Sequence, residues 1–184
     1  LNSLHIELGT VAFLIVKNDS LWHEQYFDGY DVDSKSNSFS VIKTIVAAAL
    51  SKAIDAGHVE SEEQKVAHFL PWLKGDYAKE VNMRDLASMS SGLKWNENYD
   101  NLLTITPRTY VEKDLEGLMK TIPIASAPGQ KFVYQSGSTQ LLAMALEQAT
   151  GYTISTLLYD YFWNPMGVEH PTSWIIDSER NGME

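Results

Sequence analysis

The sequence predicts an α+β protein in which one antiparallel hairpin precedes a long run of helices. Residues 10–27 read as two strands flanking a polar turn, with β-branched and aromatic residues concentrated in the first strand. From Ser38 onward the apolar residues recur at three- and four-residue spacing, as on helices. No later stretch alternates in the way a third strand would. A two-stranded hairpin is marginal by itself, so the ordered protein is expected to include further strands beside Val11–Val16 and helices over them.

The elements follow in order. Thr10 to Val16 (TVAFLIV) is the first strand, Lys17-Asn18-Asp19-Ser20 the turn, and Leu21 to Phe27 (LWHEQYF) the returning strand. Asp28 to Ser38 is a polar loop leading into Ser38–Gly57, SFSVIKTIVAAALSKAIDAG. Its residues Ile42, Ile45, Val46, Ala49, Leu50, Ala53 and Ile54 predict a largely apolar, central helix that stops at Gly57. Ser61 and Gln64 have the spacing of a capping box, and Val66–Leu70 is a short helical turn halted by Pro71. Asn82 is positioned to cap a helix from Met83 to about Ser90, closed by Gly92. Trp95 to Thr106 has no period and predicts a long loop, where binding residues often sit. Pro107–Lys120 predicts one moderately amphipathic helix, and Pro128-Gly129 is a turn. Ser138–Ala149 is a strong helix ending at Gly151, and Thr153–Phe162 another ending before Pro165.

Composition excludes several function classes. The 184 residues are 44% hydrophobic, enough for a real core. Twenty-four acidic against 14 basic residues give a net charge of −10, and no Lys/Arg cluster offers a track for phosphates, which argues against nucleic-acid binding. The absence of cysteine removes disulfides, zinc–thiolate sites and cysteine nucleophiles. The apolar runs Val11–Val16 and Ile45–Leu50 are too short to span a bilayer. His5, His23, His58, His68 and His170 are scattered without i, i+4 pairing, so no metal or cofactor is expected. Glu62-Glu63 and Glu112 with Asp114 read as solvated helix faces.

Ser40 and Lys43 carry the chemistry. Three residues apart at the start of an apolar helix, a hydroxyl and an amine lie on one face and can meet. An amine removed from water gives up its proton more readily, and in neutral form it can take the proton of a serine. Unpaired N–H groups at a helix start can also stabilise an oxyanion. The spacing alone is weak, since S-x-x-K arises by chance about once in a chain of this size. A second copy, Ser91-Gly-Leu-Lys94, runs into a polar loop, whereas only the first opens a buried helix.

A serine–lysine pair needs a further proton carrier, and Tyr134 in Pro128-Gly-Gln-Lys-Phe-Val-Tyr-Gln-Ser136 is the candidate, with Ser136 two residues on and a strong helix following. Tyr99-Asp-Asn101 matches Y-x-N better as a string but stands in a loop with no helix behind it. Ser40-x-x-Lys43 and Tyr134-x-Ser136 together resemble the serine β-lactamase and penicillin-binding protein superfamily. The likeness is greatest to its class C β-lactamase-like branch, with carboxylesterases, D-alanyl peptidases and 6-aminohexanoate-dimer hydrolases. It extends through the hairpin, Met83-Arg-Asp-Leu-Ala-Ser-Met-Ser-Ser-Gly-Leu93, Pro128-Gly129 and Asn164-Pro-Met-Gly-Val168.

The resemblance implies a β-lactamase/transpeptidase-like fold, in which residues 1–38 belong to a sheet domain and residues 39–184 form the helical domain. It implies Ser40 as nucleophile, Lys43 and Tyr134 as proton relays, and hydrolysis of a small-molecule ester, amide or peptide-like substrate through an acyl-serine. A non-hydrolytic penicillin-binding-type sensor keeps the same residues and stays open as the alternative. Ser136 is expected at the substrate, standing where many members have asparagine, and Trp95 in its loop is the aromatic candidate for substrate contact. The family's later Lys-Thr-Gly or His-x-Gly element does not follow Ser136. The chain, opening on Leu1 and stopping at Asn181-Gly-Met-Glu184, is therefore expected to be the N-terminal part of a longer enzyme, partnered by its C-terminal remainder. A periplasmic or extracellular setting is the corresponding expectation.

Overall fold

A computed structural model describes residue 5 and residues 7–177. The outer ends of the two expected domains, with Leu1 and Asn181–Glu184, lie outside the described residues. The chain divides into two compact units, residues 1–37 and 38–184.

In the first unit, β1 (Ala12–Lys17) pairs antiparallel with β2 (Ser20–Tyr26). Asn18 and Asp19 both have positive φ, 50° and 57°, as the two-residue turn of the I′ type requires. The register shifts between Ile15, opposite His23, and Val16, opposite Leu21, so Trp22 is the extra residue of a bulge. His5 is buried, its ring 4.8 Å from Phe13 and 4.7 Å from Phe27. Leu14, Val16, Leu21 and Trp22 remain exposed, so this unit leaves much of its apolar surface uncovered.

The second unit is helical. A 3-10 turn, Phe39–Val41, leads into α1 (Ile42–Asp55), which buries Val46, Ala49, Leu50 and Ala53. A second 3-10 turn spans Val66–His68. Next comes α2 (Met83–Ala87), with a reciprocal cap in which Asn82 accepts from the Asp85 N–H and Asp85 accepts from the Asn82 N–H. The deepest helix is α5 (Ser136–Thr150), in which every residue from Gly137 to Leu146 is buried. It packs against α1 and α2. Sequence patterning assigned the central place to the Ser40 helix, because the buried face of α5 includes Ser138, Thr139 and Gln140, which read as polar.

Three local expectations are corrected. Ser61–Gln64 starts no helix: the Gln64 N–H bonds the Ser61 carbonyl, and its side chain accepts from the Glu60 N–H at 2.7 Å. Pro107–Lys120 is two short helices, α3 (Ile105–Thr109) and α4 (Leu115–Met119). The break is chemical: Asp114 accepts from the Gly117 N–H at 2.7 Å, and Asp177 accepts from the Leu115 N–H at 2.7 Å. Both bonds satisfy donors that a continuous helix would direct at its own carbonyls. The last helix does not end before Pro165. After α6 (Ile154–Leu158) the chain widens into a π-helical stretch, Tyr159–Trp163, and continues as α7 (Asn164–Met166) to Gly167 in the left-handed conformation. Pro165, which has no N–H to donate to the preceding turn, follows directly on the π-helical stretch.

Candidate active site

Ser40 sits in the middle of the 3-10 turn rather than inside the α-helix, directly after Phe39, whose φ is +43°. A bulky residue in the left-handed region is strained, and such strain persists where surrounding structure enforces it. Lys43 lies in the first turn of α1 and is only 8% exposed. Its Nζ is 3.1 Å from Ser40 Oγ. The same Nζ stands over the ring of Tyr134, 5.9 Å from the centroid, within range of a cation–π contact. The structure thus brings together Ser40, Lys43 and Tyr134 around one amine.

Tyr134 is held from both sides. The N–H of Val133 donates to the Met89 carbonyl at 2.9 Å. On the other side Gln135, buried, donates through Nε2 to the Leu93 carbonyl at 2.9 Å, and its Oε1 accepts from Ser138 Oγ at 3.1 Å. Gln135 is extended, φ −150° and ψ 113°, and its side chain is buried in the core.

The second S-x-x-K copy is structural. Ser91 is fully buried, its Oγ 2.8 Å from Ser138 Oγ and 3.3 Å from the Leu93 N–H, while Lys94 is exposed. It ties the strand-like segment before Trp95 to α5. Leu93 also pairs with Ile124, and the Lys94 N–H donates to the Pro123 carbonyl at 2.9 Å.

Trp95 packs its ring over the start of α5 and donates Nε1–H to Glu97 Oε2 at 2.6 Å. Sequence reasoning missed Glu97, which organises this corner. Its Oε2 also accepts from the Ser136 N–H at 2.8 Å. Its Oε1 accepts from the Ser136 hydroxyl at 2.5 Å and the Tyr99 hydroxyl at 2.7 Å. Burial pushes the Glu97 carboxyl up, but the bonds from the Ser136 hydroxyl and N–H, Tyr99 and Trp95 outweigh it and leave it below the usual carboxylate range. Tyr99 goes the other way: burial, then its bond to the Glu97 carboxylate, pushes it up to about 12. Its phenolic proton is directed at the Glu97 carboxylate. The signal available in the sequence was the alternation Trp95-x-Glu97-x-Tyr99, which reads as polar loop unless α5 is known to end there.

Comparison with known proteins gives a consistent result. The Beta-lactamase family model matches residues 5–182. The 6-aminohexanoate-dimer hydrolase of Paenarthrobacter ureafaciens is 22% identical, aligned over 93% of this chain and 46% of its own length. A Bacillus anthracis protein provisionally named a 6-aminohexanoate-dimer hydrolase superposes with a TM-score of 0.87 at 20% identity, covering 100% of this chain and 51% of that one. EstCE1, a hydrolase with promiscuous acyltransferase activity, superposes at 0.70 with 18% identity, covering 97% and 53%. The chain spans about half the length of these relatives.

Proposed function

The chain belongs to the β-lactamase family and has its β-lactamase/transpeptidase-like fold, and from that premise we propose that it carries the acylating machinery of a serine hydrolase acting on an ester or amide. The observation that carries the reading is the amine of Lys43, 3.1 Å from Ser40 Oγ and over the ring of Tyr134. In the proposed reaction Ser40 Oγ attacks the substrate carbonyl as its proton passes to the Lys43 amine in its neutral form, which becomes the ammonium. The tetrahedral intermediate collapses when Lys43 and Tyr134 relay that proton to the leaving oxygen or nitrogen, which departs and leaves acyl-Ser40. Water then attacks the ester, its proton returns along the same path, and the acid is released. A positioned acid–base group of this kind contributes roughly 10²–10⁴-fold. The relatives named as a 6-aminohexanoate-dimer hydrolase and as a hydrolase with promiscuous acyltransferase activity support a hydrolytic acyl-transfer reaction.

The test uses the whole protein that carries this chain. Ser40→Ala is expected to abolish covalent labelling by a fluorophosphonate or penicillin probe, and Ser91→Ala to retain it. Labelling that survives in Ser40→Ala overturns the assignment of the nucleophile. A wild type that is acylated once by every ester and amide tried, and never releases product, would make the protein a sensor rather than a hydrolase.

A further inference from the structure

Met89, Leu93, Ala127, Lys131, Val133 and Gln135 line a cavity of about 140 Å³ between residues 89–93 and 126–135. Ser40, Lys43 and Tyr134 take no part in its walls. Backbone bonds frame it: the Ser126 N–H donates to the Gly92 carbonyl at 3.2 Å, the Gly129 N–H to the Ser90 carbonyl at 2.8 Å, and the Val133 N–H to the Met89 carbonyl at 2.9 Å. At Gly92 the two segments touch so closely that a β-carbon would collide with the Ser126 carbonyl. These bonds fix the spacing of the segments on either side of the cavity.

Size and chemistry limit what fits. A protein cavity of about 150 Å³ admits benzene, so this one admits a molecule of about six non-hydrogen atoms. Met89, Leu93, Ala127 and Val133 give it apolar walls. The amide of Gln135 is engaged, donating to the Leu93 carbonyl and accepting from Ser138 Oγ. The charged residue is Lys131, exposed and without a hydrogen-bond or ion-pair partner among the described residues. In a chain of net charge −10, a lysine left unpaired beside apolar walls favours an anion with a short hydrocarbon tail.

We propose that this cavity binds a short-chain carboxylate of about the size of butyrate, its tail against Met89, Leu93 and Val133 and its carboxylate paired with Lys131. The site stands whether or not the chain is a hydrolase. Two of the bonds that hold the Tyr134 segment, Val133 N–H to the Met89 carbonyl and Gln135 Nε2–H to the Leu93 carbonyl, join residues of its walls. A ligand that touches both partners of each bond favours the state in which the bonds are made, so occupancy steadies the segment that carries Tyr134.

The experiment uses the whole protein that carries this chain, isotopically labelled at its methionine methyl groups. It follows the Met89 methyl resonance, identified by its loss in Met89→Leu, as sodium butyrate is added at constant ionic strength. A saturating shift is expected. Acetate, which lacks two of the methylenes, should bind about tenfold more weakly, and so should n-butanol, which keeps the tail without the charge. Lys131→Met removes the charge from an exposed side chain and should weaken butyrate about tenfold while leaving n-butanol unchanged. That pattern separates this site from a general effect of salt. A Met89 resonance that does not move, one that responds equally to acetate and butyrate, or butyrate binding that is undiminished in Lys131→Met overturns the proposal.

Discussion

A β-carbon on Gly137 would stand 2.3 Å from Cε3 of Trp95 and 2.7 Å from Cδ2 of Leu93. The loop carrying Glu97 therefore docks on α5 through the absence of a side chain at its second residue. Gly137→Ala forces the indole away and loosens the Glu97 contacts to Ser136. The expected cost is roughly 1–3 kcal/mol, typical of overpacking, read as a lower denaturant midpoint with unchanged slope. A midpoint equal to wild type would mean that Trp95 is not held where it lies against the helix.

Ser91→Ala and Ser40→Ala should separate stability from chemistry. Ser91 is buried against Ser138 and the Leu93 N–H, so its loss leaves those groups short of a partner at roughly 1–3 kcal/mol. Ser40 makes its recorded side-chain contact with Lys43 at the edge of the core, and its loss should cost less stability. Thermal melts of the two variants check the order, and a larger loss in Ser40→Ala would contradict it.

Tyr134→Phe is expected to lower turnover of a short p-nitrophenyl ester by about 10²–10⁴-fold. Tyr99→Phe should lower it by less than about tenfold, because the Tyr99 proton is directed at Glu97 rather than at Lys43. Steady-state kinetics on the two variants decide between the tyrosines. Equal losses would remove the distinction.

Two carboxylates predict opposite pH signatures. The folded value of Glu97 lies below its ordinary 4.5, so its bonds stabilise the fold above that value and the contribution is lost as the pH falls through the depressed one. The melting advantage of wild type over Glu97→Gln should therefore narrow on acidification from pH 7. Glu147 is raised by burial, with the Ile154 N–H opposing and Asp177 adding repulsion. A raised carboxyl favours the protonated folded state, so stability is lost as the pH rises through that window. Glu147→Gln keeps an acceptor for the Ile154 N–H, now 2.7 Å from Oε1, and should gain on wild type as the pH rises above 4.5. Melting temperatures across pH 3–8 test both signs.

The sequence by itself determined the hairpin, the apolar helix after Ser40, the cap at Asn82, and the glycine stops at Gly57 and Gly151, because each follows from period, propensity and turn chemistry within a few residues. It also fixed the meeting of Ser40 and Lys43, since one helical turn brings i and i+3 together without help from the rest of the chain. Only the tertiary structure decided that α5 lies deepest, because burial of Ser138 and Gln135 depends on Ser91 and Leu93, more than 40 positions away. The split of 107–120 into two helices likewise needed Asp177, a distant carboxylate that caps Leu115. Glu97 was illegible for the same reason. A glutamate in a polar loop looks like any solvated charge until folding sets it against the first turn of α5, where two hydroxyls and two N–H groups from separate segments converge on its oxygens. Local periodicity reports which face of an element is apolar, whereas the donors that satisfy a carboxylate are chosen by which elements the fold brings side by side.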